Sequence, residues 1–419
     1  MPLVGLIESD TEEEEEEPPE LQSTILERPP ALYEPLINPE HLGGFFGELE
    51  AREQGAENAV HVLHFGDSTI AADGIPGVVR GRLQARFGDL GPGFLPLHVD
   101  TRWVYRPGVK RVTTGDWESW NLTQGRAPHR RYGLGGSPSR LTGEGAFRLE
   151  WKGVNEPNPE LTSATIHAQI QPGGGTVRVQ VGDAPPVVLQ TAGDDVEDMH
   201  YHLEPDAGFR KISIEAVGDG PVSFYGVALE RGRVGLSWET LGVAGSSIGS
   251  MKRQNPDHLK TEVASRNPSL LVYQTGGNAL GYDSFLAGDG EVFLQKYLEV
   301  LARLRAGAPE ASCLLVGPLD QGVRIRGKVQ SRSEIPRMIA IQKRAAKEAG
   351  CAFWDAREVM GAEGGFARWM NHEPTLTWTD LMHLSREGSE LVGERFADAL
   401  MEAYRTFKQS RSSGESDDL

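Results

Sequence analysis

Val60-His61-Val62-Leu63-His64-Phe65 is a β-prone run that stops at Gly66, and Val78, Val79, Leu83 and Phe87 then recur at helical spacing before Gly88. This pattern predicts a strand, a tight loop and a helix, with Ser68 in the loop. Leu42 to Arg52 predicts a short helix ahead of them. From about residue 96 to residue 235 the pattern changes: alternating runs such as Phe147-Arg148-Leu149-Glu150-Trp151, Val177-Arg178-Val179-Gln180-Val181 and Ile212-Ser213-Ile214 are separated by Gly, Pro and Asp clusters. Period-two alternation of this kind predicts an antiparallel β-sandwich. After Gly235 the short apolar runs Leu270-Leu271-Val272-Tyr273, Leu314-Leu315-Val316 and Ala352-Phe353-Trp354 alternate with helical stripes. One stripe is Leu294, Tyr297, Leu298, Leu301 and Leu304, and another is Val392, Phe396 and Leu400.

Strands alternating with helices imply an α/β fold whose parallel sheet is covered on both faces. The antiparallel segment interrupts that fold between its first and second strands. The expected organisation is an acidic, Pro-rich disordered tail (1–40), a first α/β part (41–95), an inserted β-sandwich (96–235), a second α/β part (236–408) and a disordered tail (409–419).

The formal charge of -18 excludes nucleic acid and anionic lipid as expected partners, because the chain offers no field to attract phosphate. Much of that charge is one block, Glu8 to Glu20, which reads as a solvated tail. No apolar stretch is long enough for a transmembrane helix, and Met1 to Ile7 lacks the basic flank of a signal peptide. Cys313 and Cys351 both lie in apolar strand-like segments and are expected as free buried thiols.

Open α/β sheets place their chemistry at the carboxyl ends of the strands. Gly66-Asp67-Ser68, Gly245 after Leu241-Gly242-Val243-Ala244, Gly276-Gly277-Asn278 and Asp380-Leu381-Met382-His383 all fall at or near such ends. Gly-Asp-Ser alone is a common turn, but between a strand and a helix it sets a hydroxyl at the sheet edge. A serine hydroxyl needs a base, and His383 has a carboxylate three residues earlier to accept from Nδ1. In isolation Asp-x-x-His reads first as a helix cap; its place after the last strand, in the order Ser, Asp, His, favours a triad. Gly245 offers a backbone N–H and Asn278 a side-chain NH2 to an oxyanion.

Ser68, Gly245, Asn278 and His383, in this order, resemble the SGNH (GDSL-type) hydrolase family, across residues 58–95 and 236–408. The resemblance implies a flavodoxin-like three-layer domain with Ser68 as nucleophile, His383 as base and Asp380 as its orienter. It also implies an oxyanion hole of Ser68 N–H, Gly245 and Asn278, and no cofactor or metal. Ala71-Ala72-Asp73, Gly77, Leu83-Gln84, Phe87-Gly88-Asp89, Met360-Gly361 and Trp369 further resemble bacterial peptidoglycan O-acetylesterases. Thr69 stands where that group often has His, and Ala279 where it often has an acidic residue. The implied substrate is an acetylated envelope polysaccharide, with a periplasmic or envelope location. A polysaccharide O-acetyltransferase with the same triad and a non-catalytic glycan-binding protein are the alternatives.

Other candidates are weaker. His200 and His202 share a strand face near Asp194, Asp195, Glu197 and Asp198, without an evident third metal ligand. His61 and His64 read as buried strand histidines. Trp103, Tyr105, Trp117 and Trp120 read first as core and second as a sugar-stacking platform. Asn121-Leu122-Thr123 fits a glycosylation sequon.

Overall fold

Five strands form one parallel sheet: β1 (Ala59–Gly66), β2 (Gly235–Gly242), β3 (Leu270–Gln274), β4 (Ser312–Val316) and β5 (Ala352–Trp354), in the order β2-β1-β3-β4-β5. The computed structural model describes residues 35–97, 104–154, 160–286 and 288–414, all within one unit spanning residues 33–419. Acidic residues 8–20 and Trp103 lie outside the described residues.

The sheet is buried on both faces because successive side chains of each strand enter different cores. Leu63 and Phe65 of β1, Leu271 and Tyr273 of β3, and Cys313 and Leu315 of β4 join one core. Helices α4 (Pro256–Arg266), α5 (Glu291–Arg305) and α6 (Ile335–Ala349) contribute Leu259, Leu301 and Met338 to it. Val60 and Val62, Leu270 and Val272, and Leu314 and Val316 point the other way. There they meet Phe46 of α1 (Gly43–Glu53), Leu83 of α3 (Gly74–Phe87) and Phe396 of α7 (Arg386–Gly414).

Several expectations are corrected. Cys313 and Cys351 are joined in a disulfide. Leu314 pairs with Ala352 in the parallel register, which sets the preceding residues of the two strands side by side with Cα atoms 4.6 Å apart, a spacing a disulfide can bridge. The folded chain begins before residue 41: Leu36 is buried, and Ile37 exchanges backbone hydrogen bonds of 2.8 and 2.9 Å with Phe353 at the sheet edge. Residues 409–414, expected as tail, continue α7; Lys408 and Arg411 pair with Glu53 and Glu50 of α1 and hold that end down.

Between α3 and β2 the chain builds two antiparallel sheets. The strands at 197–203, 163–170, 222–230, 139–141 and 118–119 form one, and those at 109–114, 145–151, 211–216, 176–181 and 187–190 form the other. Phe147, Ile214 and Val179 of the second sheet share a core with Ile166, Phe224 and Val227 of the first. Gly93–Leu95, expected in the α/β part, pairs with Val222–Glu230 of the first sheet. The opposite face of that sheet carries His167, Gln169 and Tyr225, and α4 meets it with His258 and Glu262. Among the described residues no helix is long and apolar enough to cross a membrane.

Candidate active site

Strand β1 must turn sharply at Gly66. A Cβ there would lie 2.3 Å from Ile70 Cγ1, and one on the paired Gly242 would lie 2.2 Å from Ala71 N. The two glycines let the short helix α2 (Ser68–Ala71) sit on the sheet edge, with Ile70 and Ala71 buried beneath it. Asp67 caps this helix, its Oδ1 accepting from Thr69 N at 3.0 Å. Burial pushes the Asp67 carboxyl up despite the bonds to Thr69. The buried Arg106 guanidinium donates to Ala71 O at 3.1 Å and to Thr240 O, tying α2 to β2. Arg106 lies in an aperiodic segment of the sequence, which carries no signal of this role.

His383 arrives from the opposite side. The backbone turns at Leu381 with φ 65°, and Asp380 Oδ1 accepts from Met382 N at 2.9 Å and His383 N at 3.0 Å. Gly322 N donates to Leu381 O at 2.8 Å and holds the turn from outside. His383 Nδ1 is then 2.7 Å from Asp380 Oδ2, and His383 Nε2 is 2.8 Å from Ser68 Oγ. A carboxylate only accepts, so Nδ1 carries the proton and Nε2 is left to accept from the serine hydroxyl. Burial alone would raise the Asp380 carboxyl, but the hydrogen bonds from His383 and Met382 outweigh it and hold it below the usual carboxylate range.

Gly245 and Asn278 come to the same edge on the loops after β2 and β3. Asn278 Nδ2 donates to Ser246 O at 2.9 Å, which joins the two loops and commits one of its two amide hydrogens. Among the described residues no turn or cap hydrogen bond consumes the N–H of Ser68 or Gly245. Ser68, Gly245, Asn278, Asp380 and His383, separated by up to 315 positions, thus meet at one sheet edge. Thr123 of the antiparallel region reaches this edge, its Oγ1 lying 3.4 Å from Ala244 O.

The other candidates take structural places. His64 is buried and accepts from Trp238 Nε1 at 3.2 Å, and desolvation lowers its pKa to about 3, so it stays neutral. His61 Nδ1 is 2.8 Å from Ser237 Oγ. Trp117 packs on Phe147 at 4.0 Å between ring centroids, and Trp120 packs against the core that Leu63 and Leu271 join. Tyr105 is exposed. Asn121 Oδ1 accepts from Thr123 N and Gln124 N in a tight turn. His202 pairs with Thr165 at the surface, while His200 turns inward to Glu262. His167, His200 and Glu262 form one cluster of potential metal-ligand atoms, and Asp198, His258 and Glu262 another. Asp194, Asp195 and Glu197 belong to neither. Sequence reading missed Trp378, whose backbone N–H donates to His383 O at 2.8 Å and whose ring stays exposed.

Residues 211–391 match the model of the GDSL-like lipase/acylhydrolase family, a stretch that includes Gly245, Asn278, Asp380 and His383. No curated protein sequence matches the chain. The fold is similar to that of a peptidoglycan O-acetylesterase, with a TM-score of 0.71 and 21% identity over 87% of this chain and 96% of that one. An acetyl xylan esterase (TM-score 0.30, 21% identity, 39% of this chain and 81% of that one) and a family two carbohydrate esterase from Cellvibrio japonicus (TM-score 0.28, 9% identity, 71% and 98%) are far more distant. Residues 211–391 are thus similar in sequence to the GDSL-like lipase/acylhydrolase family, and the fold is similar to that of a peptidoglycan O-acetylesterase.

Proposed function

We propose that the protein is a serine-dependent carbohydrate esterase that removes O-acetyl groups from a bacterial envelope polysaccharide, with peptidoglycan as the first substrate to test. The reading rests on one observation above all, the hydrogen-bonded line from Ser68 Oγ through His383 to Asp380 Oδ2. In this mechanism His383 Nε2 takes the hydroxyl proton as Ser68 Oγ attacks the acetyl carbonyl. The tetrahedral oxyanion is met by the N–H groups of Ser68 and Gly245 and the free amide hydrogen of Asn278. On collapse, His383 passes the proton to the departing sugar oxygen. Water, deprotonated by the same imidazole, then attacks the acetyl-enzyme, and acetate leaves as Ser68 regains its proton.

The fold shared with a peptidoglycan O-acetylesterase supports the choice of polymer and an envelope location. Residues 96–235 would then be an inserted β-sandwich serving the polymer, in keeping with the approach of Thr123 to Ala244 at the site's edge. The test is acetate release from a panel of O-acetylated polysaccharides by the wild type and by Ser68→Ala. Release from peptidoglycan that depends on Ser68 supports the assignment, release from another acetylated glycan changes the polymer, and equal release by the variant removes Ser68 as nucleophile.

A further inference from the structure

The loop that carries Asp380 and His383 is closed by an antiparallel bridge between Thr377 and Leu384, and by Ser385 N donating to Leu376 O at 3.0 Å. Leu376, Thr377 and Leu384 are buried and anchor the loop. Trp378 follows directly, and its side chain does not join them: it is 56% exposed, although indole is among the costliest surfaces to leave in water. Its ring centroid lies 6.5 Å from that of His383. Among the described residues no core cluster takes in the ring, while its backbone is fixed by the 2.8 Å bond from Trp378 N to His383 O.

The chemistry says what lies on this side of the site. His383 Nε2 gives its proton to the leaving oxygen, so the alcohol part of the ester, and not its acetyl group, is next to the imidazole. We infer that Trp378 is a stacking platform for the pyranose ring that carries the scissile ester. The C–H face of a pyranose is apolar and flat enough to lie on an indole, and its rim of hydroxyls suits an exposed position where one face stays wet. Trp378 is thus a positioning residue: it orients the sugar oxygen towards His383 and makes no bond that changes in the reaction. This inference rests on the carbohydrate-esterase reading above.

The test compares two substrates that differ in the alcohol. O-acetylated N-acetylglucosamine offers a pyranose, and vinyl acetate offers no ring to stack. Trp378→Ala is expected to lower kcat/KM for the sugar ester by about tenfold or more, chiefly through KM, and to leave vinyl acetate hydrolysis within about twofold, with an unchanged pH profile. Trp378→Phe is expected to restore most of the sugar activity, and Trp378→Leu, apolar but not flat, is not. Equal losses on both substrates would overturn the inference, because the ring would then merely support His383. Unchanged sugar kinetics, or rescue by Leu equal to that by Phe, would overturn it too. If the wild type hydrolyses vinyl acetate but releases acetate from no sugar ester, the carbohydrate reading falls and takes the platform with it.

Discussion

Asp380 holds His383 at two points, its Oδ2 lying 2.7 Å from Nδ1 of the ring while its Oδ1 accepts the His383 backbone N–H at 3.0 Å. One carboxylate therefore fixes both the position of the residue and the tautomer of its ring. Asp380→Asn keeps the Oδ1 acceptor but can present an NH2 group to Nδ1, which favours the tautomer that cannot accept the serine proton. We expect kcat for an activated acetyl ester to fall by about 10²- to 10⁴-fold with the fold retained by circular dichroism. Full activity would mean that another acceptor orients the imidazole.

Ser68 is half-exposed, and among the described residues its hydroxyl bonds only His383. Ser68→Ala should remove essentially all esterase activity, about 10⁴-fold or more, and change the melting temperature little, because no buried partner is orphaned. Labelling by a fluorophosphonate should disappear in the same variant. Turnover within a few-fold of the wild type would remove Ser68 from the mechanism.

One amide hydrogen of Asn278 ties it to Ser246 O, and in the proposed mechanism the other would meet the oxyanion. Loss of one oxyanion donor costs about 10²- to 10³-fold in kcat with little change in KM. Asn278→Ala should show that pattern, and Asn278→Asp, which cannot donate, should be as poor. A change confined to KM would place Asn278 in substrate positioning.

The sequence was informative where chemistry is local. Gly66-Asp67-Ser68 lies between a β run and a helical stripe, and both glycine crowding and the Asp67 cap act within four residues. Asp380 and His383 are likewise a single turn. Contacts set by register or by packing of distant segments were not legible. Cys313 and Cys351 become neighbours only because β4 and β5 pair in one register, so period and polarity gave no sign of their bond. Arg106 meets Ala71 across 35 residues of chain from a segment without periodicity. Glu262 reads as one polar position on a helix, and only the fold brings it against His167 and His200 from the antiparallel sheet.

The disulfide itself should be worth measuring. It closes a sequence separation of 38 residues, for which chain entropy predicts about 4 kcal/mol as an upper figure. Cys313→Ala combined with Cys351→Ala should lower the melting temperature by several degrees, while the acetyl-ester kcat at 25 °C stays near the wild-type value. An unaltered melting temperature would show that the bond adds nothing to the packing around it.

Glu262 makes a different prediction, about pH. Its carboxylate is fully buried and bonded to His167 Nδ1 at 3.1 Å and His200 Nε2 at 2.8 Å, with Arg131, Asp198 and His258 grouped beside it. Burial pushes the Glu262 carboxyl up, but the surrounding histidines outweigh it and hold it far below the usual range. Burial pushes His200 down, yet the bond to Glu262 leaves it raised, while desolvation leaves His167 lowered. A depressed carboxyl contributes stability above its unfolded value of 4.5 and loses it as pH falls through the folded value. A raised imidazole contributes stability fully below 6.5 and loses it as pH rises through the folded value. The two windows overlap between about pH 4.5 and 6.5, so the contact should be strongest there. Glu262→Gln leaves buried groups without their charge partner and should cost about 3–5 kcal/mol in that range. The deficit should shrink towards pH 9 as His200 loses its proton in the wild type. Urea denaturation of both proteins from pH 4 to 9 measures it, and a deficit independent of pH would mean that His200 and Glu262 do not titrate against each other.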